Sequence, residues 1–378
     1  VAGGGGETAA VIGVVYGTTG ELIKLAPVIL ELQRRGHRPL MLCTGQQVAQ
    51  IPAFQRELGL GEVDVWLARG AGGHDLRAKR EIPAWAGRVG RSVARRRREL
   101  RRALRVDGHE PLLLVHGDTF TSVLGALAGR ALGVPVGHVE AGMRSGRWRD
   151  PFPEELNRRV VARLVDLHFA PGDRPVANLR RERVRGAIVD THQNTVRDAL
   201  DLVGERTVPG LELPGEPFGV VSLHRFELIE RETQFRALLE LLHDHSRSQP
   251  LLFVDHTTTA AVLDRSPALR ALFDDRFRRI PRQPYLQFIA LLRRCTFLIS
   301  DSGGSQEECA FLGLPCVIHR AVSEHDTGLS GSVVLSRLDL AVVRDFLAAP
   351  GRWRTAAAPI GVGPSRIIAE ELARLGAL

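Results

Sequence analysis

Short apolar runs that stop abruptly in polar, ionisable residues recur along this chain, and they narrow its fold more than any other feature. Pro111–Val115 shows no polar alternation, so it reads as a strand buried on both faces, and it ends in His116-Gly117-Asp118. Pro135–Val139 behaves in the same way and ends at Glu140. Helix-length stretches separate such runs, the order expected of βαβ units in a parallel sheet. In an open parallel sheet, ligands bind beyond the carboxyl ends of the strands. The ionisable residues therefore fall where chemistry is done.

A chain of 378 residues is long for one core, and two domains are expected. In the first half, strands are expected at Ala10–Tyr16, Pro39–Cys43, Pro111–Val115, Pro135–Val139 and Leu167–Ala170. Helices are expected at Glu21–Arg34, Gln46–Leu58, Trp85–Val106, Thr121–Leu132 and Pro153–Val165. The stretch VGERTVPGLELPGEP is rich in Pro and Gly and reads as a linker. The pattern then restarts with strands Gly219–Leu223, Pro250–Val254, Cys295–Ser300 and Pro315–His319. Its helices are Glu230–Ser246, Thr258–Phe273, Ser305–Leu312 and the terminal Ser365–Leu378. The fold class is α/β, with two Rossmann-like, doubly wound parallel-sheet domains facing a cleft. The divisions are 1–203, a linker at 204–217, a second domain at 218–363, and a closing helix at 364–378 that could pack back on the first domain.

Net charge is +8, carried almost wholly by arginine, and only Lys24 and Lys79 are lysines. The run Arg95–Arg102 reads as a solvated helix face, and no nucleic-acid motif accompanies it. No apolar run approaches the ~18 residues that a membrane span needs. The segment VAGGGGETAA lacks the basic start of a signal peptide, so the run after it reads as the first strand. Cys43, Cys295, Cys309 and Cys316 form no CxxC pair and no zinc spacing, and are expected as buried thiols in a reducing compartment.

Six polar clusters follow strands: Gly17-Thr18-Thr19-Gly20-Glu21, His116-Gly117-Asp118, Glu140, His224-Arg225, His256 and Asp301-Ser302-Gly303-Gly304. One cluster means little, whereas six in register mark the functional edges of two sheets. Gly17–Gly20 suits either an anion-binding turn or a plain strand-to-helix turn. Ser302-Gly303-Gly304 opens a helix with small residues and free N–H groups, which suits a diphosphate, with Glu308 one turn on for ribose hydroxyls. The other reading is an ordinary helix cap. His224 closes a strand and is read either as structural or as a site histidine. Glu154 and Glu155 follow Pro153 at a helix start, where acidic residues complement the dipole without any further role. Asp118 and Glu140 carry the strongest functional case, because carboxylates at buried strand ends are costly unless used.

Taken together, HGDTFTS, PVGHVEAGMRSG, PFPEELNRR, NTVRDAL, DSGGSQEE and LGLPCV resemble the UDP-N-acetylglucosamine 2-epimerase family, in order and spacing, over most of the chain. The resemblance implies two Rossmann-like domains of the GT-B type. It also implies a reaction in which the nucleoside diphosphate is eliminated across C1–C2 of the sugar. The diphosphate then adds back, or water adds, with reprotonation at C2. By resemblance, Asp118 and Glu140 serve proton transfer at C2, Glu154 assists, and His224 stabilises the departing diphosphate. Lys24, Gln283, Phe288, Ser302, Gly303, Gly304 and Glu308 match nucleotide-binding positions. The resemblance implies a cytoplasmic isomerase of carbohydrate biosynthesis with no cofactor and no metal. It also implies a nucleotide sugar as partner rather than nucleic acid or membrane, with a homodimer as the expected assembly. The competing readings are a GT-B glycosyltransferase, and a relative altered in catalysis or acting on another nucleotide sugar or glycoside.

The chain departs from the family at ligand-facing motifs. GTRPE becomes Gly17-Thr18-Thr19-Gly20-Glu21, HRRE becomes His224-Arg225-Phe226-Glu227, and ERPE becomes Glu324-His325-Asp326-Thr327. HxNP reads His256-Thr257-Thr258-Thr259, and QHR reads Gln46-Gln47-Val48. A charge-assisted arginine contact is worth ~1.5–3 kcal/mol, so these changes are expected to alter affinity or substrate while leaving the carboxylates in place.

Overall fold

The computed structural model describes residues 12–76, 79–106, 108–146, 152–203, 211–323, 326–329, 331–358 and 361–378. It divides into two compact units. One runs to Ala199 and includes Gly361–Leu378; the other is Leu200–Ile360.

The first unit holds a sheet of seven strands: β1 Ile12–Tyr16, β2 Leu40–Cys43, β3 Val65–Trp66, β4 Leu112–His116, β5 Val136–Val139, β6 Leu167–Ala170 and β7 Ala187–Asp190. Their order is β3-β2-β1-β4-β5-β6-β7, all parallel. The second unit repeats the plan with β8 Gly219–Ser222, β9 Leu251–Val254, β10 Phe277–Ile280, β11 Phe297–Ser300, β12 Cys316–Ile318 and β13 Val333–Leu335, ordered β10-β9-β8-β11-β12-β13. Each is a doubly wound sheet whose winding reverses once, between β1 and β4 and between β8 and β11. Those are the places where such sheets hold ligands.

The central strands are buried throughout, as their unbroken apolar runs require. In the first unit Val15, Leu113, Val115, Trp85 and Leu132 share one core. In the second, Val221, Phe235, Phe253, Phe297 and Phe346 do so. Helix Phe120–Leu132 lies close against β4 and β5 because it presents glycines there. A Cβ at Gly125 would meet Val115 Cγ1 at 2.6 Å, and one at Gly129 would meet Val136 Cγ2 at 2.1 Å. Its cap, Thr119, accepts from the Thr121 amide at 3.0 Å, which fixes the residue after Asp118. The terminal helix Pro364–Arg374 belongs to the first unit. It packs on helix Thr19–Arg34 through a buried face that includes Ile368, Ala369 and Leu372, and the Ser365 amide donates to Asp198 at 2.8 Å.

Two expected helices are shorter than the pattern implied. Trp85–Val106 is divided at Arg96, inside the run of arginines, into Ile82–Arg95 and Arg97–Ala103. Thr258–Phe273 is divided into Thr257–Arg265 and Pro267–Arg270, because Pro267 has no N–H to continue the ladder and Ser266 caps a new start. All four cysteines are buried thiols. Among the described residues no helix is long and apolar enough to cross a membrane.

Candidate active site

In the first unit the carboxyl ends of β1, β4, β5 and β7 converge on Glu140. This residue directly follows β5 with φ +67°, in the left-handed region that non-glycine residues rarely occupy. Its side chain is 10% exposed and meets the Lys24 ammonium, from helix Thr19–Arg34, through Oε1. The Asn194 side-chain amide, from the loop beyond β7, donates to the same oxygen. His116 Nε2, at the end of β4, lies 3.4 Å from Oε2. Gly117 makes room for this, since a Cβ there would approach Oε2 to 3.3 Å and its own φ is +67°.

Asp118 stands in the turn after β4, the strand paired with β5. Arg158 Nη2 lies 2.5 Å from its carboxylate, and Asn157 donates to its carbonyl at 2.8 Å. Both come from helix Glu154–Leu164. His138 Nε2 reaches the Gly117 carbonyl at 2.7 Å. A carbonyl only accepts, so Nε2 carries the proton. Burial pulls His138 down to about 3, which keeps the imidazole neutral.

The two glutamates at the start of helix Glu154–Leu164 differ in surroundings. Glu155 is fully buried and accepts from the Ser145 amide at 3.1 Å, Arg158 at 3.3 Å and Arg159 at 3.0 Å. It is a structural carboxylate, in an ion network continued by Arg144 and Glu182 at 2.8 Å. Glu154 is half-buried at the first helical position. Lys24, expected at the nucleotide, pairs with the Glu140 carboxylate. The Gly17–Gly20 turn is closed by the protein itself: the Gly17 and Thr18 amides donate to Glu21 at 2.8 and 2.9 Å, and the Thr19 amide to Gln47 at 2.8 Å.

In the second unit Asp301, fully buried after β11, accepts from the His224 and Arg225 amides at 3.0 and 2.9 Å. It thereby fastens the turn after β8 across the point of reversal. The His224 ring is 36% exposed and lies against His256, centroids 4.6 Å apart, while His256 Nε2 meets Ser222 at 3.0 Å. Burial, with Arg225, Arg282 and Arg320 near by, holds His224 down to about 4. Three guanidiniums thus lie near this edge, together with the Glu227 and Asp301 carboxylates. Ser302 is the cap of helix Gly303–Leu312 but makes no side-chain cap bond. A Cβ at Gly304 would meet only Ser302 Oγ, at 3.7 Å, so internal packing does not demand glycine there. Glu308, on the same helix, is buried beside the Tyr285 hydroxyl, which burial and that carboxylate push up. Phe288 lies half-buried on helix Tyr285–Leu292, and Gln283 donates to the Pro281 carbonyl at 2.7 Å just before it. Glu324 and His325 lie outside the described residues.

Sequence reasoning missed Asn157, Arg158, Asn194, Arg282 and Arg320 as parts of these edges. Four of them sit in or beside segments already singled out; only Arg282 had no signal beyond its neighbour Gln283.

Known proteins share this fold and much of this sequence. The family model described as UDP-N-acetylglucosamine 2-epimerase matches residues 86–343. This chain belongs to the UDP-N-acetylglucosamine 2-epimerase family. That is a family of isomerases, and the chain matches some of its members nearly end to end. A UDP-N-acetylglucosamine 2-epimerase of Bacillus subtilis is 30% identical over 373 residues, 95% of this chain and 93% of that protein. One of Methanococcus maripaludis is 28% identical over 94% of this chain and 95% of its own length. The UDP-GlcNAc 2-epimerase of Neisseria meningitidis, solved bound to UDP-GlcNAc, superposes with a TM-score of 0.77 at 25% identity, covering 96% of this chain and 99% of the other.

Proposed function

We propose that this family member acts on UDP-N-acetylglucosamine or a related nucleotide sugar at C2, by elimination and return of the nucleoside diphosphate. A base removes the C2 proton, the C2–H electrons form the C1=C2 bond, and the C1–O bond breaks to release the diphosphate. Reprotonation of C2 from the opposite face, with the diphosphate adding back to C1, completes epimerisation. Water adding at C1 in its place would give hydrolysis.

One observation carries this reading. Glu140 is held in strained backbone with Lys24, His116 and Asn194 gathered on its carboxylate, and Asp118 is fixed in the turn of the adjacent strand. Strain of this kind persists where surrounding structure over-determines it, commonly at active sites. Asp118 and Glu140 act as the acid–base pair and Glu154 supports them. Lys24 places a positive charge against the Glu140 carboxylate.

In the second unit Arg225, Arg282 and Arg320, with the open start of helix Gly303–Leu312, supply positive charge for a diphosphate. They stand in for part of the arginine lost from the motifs. Gln283, Phe288, Ser302, Gly303, Gly304 and Glu308 complete the nucleotide edge. The names of the Bacillus relative and of the Neisseria complex support UDP-GlcNAc as the first substrate to try. The test is product analysis by NMR across a panel of sugar nucleotides. Appearance of the C2 epimer, or of the free epimeric sugar with UDP, supports the reading. Transfer to an acceptor with C2 untouched would replace it by glycosyl transfer.

A further inference from the structure

We propose that Glu21 is a positioning residue for Asp118, tying the turn after β1 to the turn after β4 through Thr119; this rests on the role given to Asp118 above. Glu21 is 3% exposed, and its two oxygens serve different purposes. Oε2 accepts from the Gly17 amide at 2.8 Å, the Thr18 amide at 2.9 Å and the Thr18 hydroxyl at 3.1 Å, which closes the start of its own helix. Oε1 accepts from the Thr119 hydroxyl at 2.6 Å, almost a hundred residues away. A residue present only to close a helix has no use for that second bond. A buried carboxylate is costly unless its lone pairs are satisfied, and burial pushes Glu21 up to about 7.

The consequence falls on Asp118. Three successive residues of its turn are each gripped by a side chain from a different element. His138 of β5 holds the Gly117 carbonyl, and Asn157 of helix Glu154–Leu164 holds the Asp118 carbonyl. Glu21 of helix Thr19–Arg34 holds the Thr119 hydroxyl. The carboxylate of Asp118 is thus aimed by structure around it, as a proton-transfer group must be.

The test separates tie from cap. Thr119→Val removes the hydroxyl, and with it the cap of helix Phe120–Leu132, but leaves Glu21 closing its own helix; Thr119→Ser restores both; Glu21→Gln keeps an acceptor for the Gly17 and Thr18 amides and leaves the Thr119 cap in place. Thr119→Val and Glu21→Gln should each lower kcat by ~10-fold or more with KM nearly unchanged, because misplacing a reacting group weakens the transition state alone. Thr119→Ser should recover most of the rate, and the two lesions combined should add little to either one. An unchanged kcat in Thr119→Val, equal losses in the Val and Ser variants, or a loss in Thr119→Val with none in Glu21→Gln (which would assign the effect to the Thr119 cap) overturns the tie. Deuterium exchange of the backbone judges it without turnover. Peptides covering residues 17–21 and 116–121 should exchange faster in Thr119→Val and not in Thr119→Ser, and unaltered exchange there overturns it. Absence of turnover in the unsubstituted protein with every sugar nucleotide would sink the functional reading, leaving the exchange result to decide on Glu21.

Discussion

Glu140 occupies a backbone conformation that disfavours a side chain by ~1–2 kcal/mol, and the chain keeps a glutamate there. Gly117 opposite it relieves the crowding, and Lys24 supplies the charge that makes the carboxylate tolerable in a nearly buried setting. His224 obeys the reverse logic, since its three guanidinium neighbours and its burial keep a proton off. An anion binding among those guanidiniums offsets their field. The His224 imidazole, near 4 in the free protein, should therefore become more basic when UDP binds. Titration of the histidine ring signals by NMR, with and without UDP, checks this. An unchanged or lowered value would separate His224 from the diphosphate.

Glycine placement decides how the elements meet. Gly129→Val would drive a side chain into Val136 and is expected to destabilise the protein by ~1–3 kcal/mol through overpacking. Gly87→Ala, in helix Ile82–Arg95 with nothing within 4 Å of the added carbon, should stabilise it by ~0.4–1 kcal/mol. Urea denaturation reads both, and the opposite signs are the check. The legibility of the elements follows the same physics of burial. The strands read from the sequence are the inner ones, covered on both faces. The four that were not read, β3, β7, β10 and β13, are the four sheet edges. β3 has two residues, β7 is only half-buried, and β10 carries Arg278 and Arg279, the latter paired to Asp255 at 3.0 Å. An edge strand needs no continuous apolar run, so it leaves none in the sequence. The site was legible for a related reason. Asp118, Glu140 and His224 end inner strands, whereas Asn157, Arg158 and Asn194 reach the site from helix or loop, where no periodicity marks them.

At the scale of the molecule, the terminal helix completes the first unit across more than 150 residues of intervening chain. Removal of Gly361–Leu378 should expose the apolar face of helix Thr19–Arg34, which carries Glu21 and Lys24, and lower the melting temperature. An unaltered melt would show that the helix is dispensable. The histidines held below their ordinary range set the response to acid. His138 lies near 3, and His224, His256 and His319 lie near 4, against ~6.5 for an unfolded imidazole. Between those values the unfolded chain binds protons that the folded chain refuses, so stability is full above ~6.5 and falls as pH drops towards 4. Glu21 opposes this. Raised to about 7, it contributes fully below about 4.5 and loses that contribution as pH rises through 7. Asp301, also raised by burial, opposes the histidines in the same way as Glu21. Four imidazoles outweigh these two carboxyls, and melts from pH 7 to pH 4 should show falling stability; a flat or rising series would contradict the lowered basicity of these rings. The most direct measurement of the acid–base assignment is the uptake of solvent deuterium at C2 of UDP-N-acetylglucosamine in D2O, followed by NMR. The unsubstituted protein should introduce deuterium at C2, while Asp118→Asn and Glu140→Gln, folded as judged by unchanged melts, should do so ~10²–10⁴-fold more slowly. Turnover that leaves the C2 proton in place, or full exchange in both variants, would contradict it.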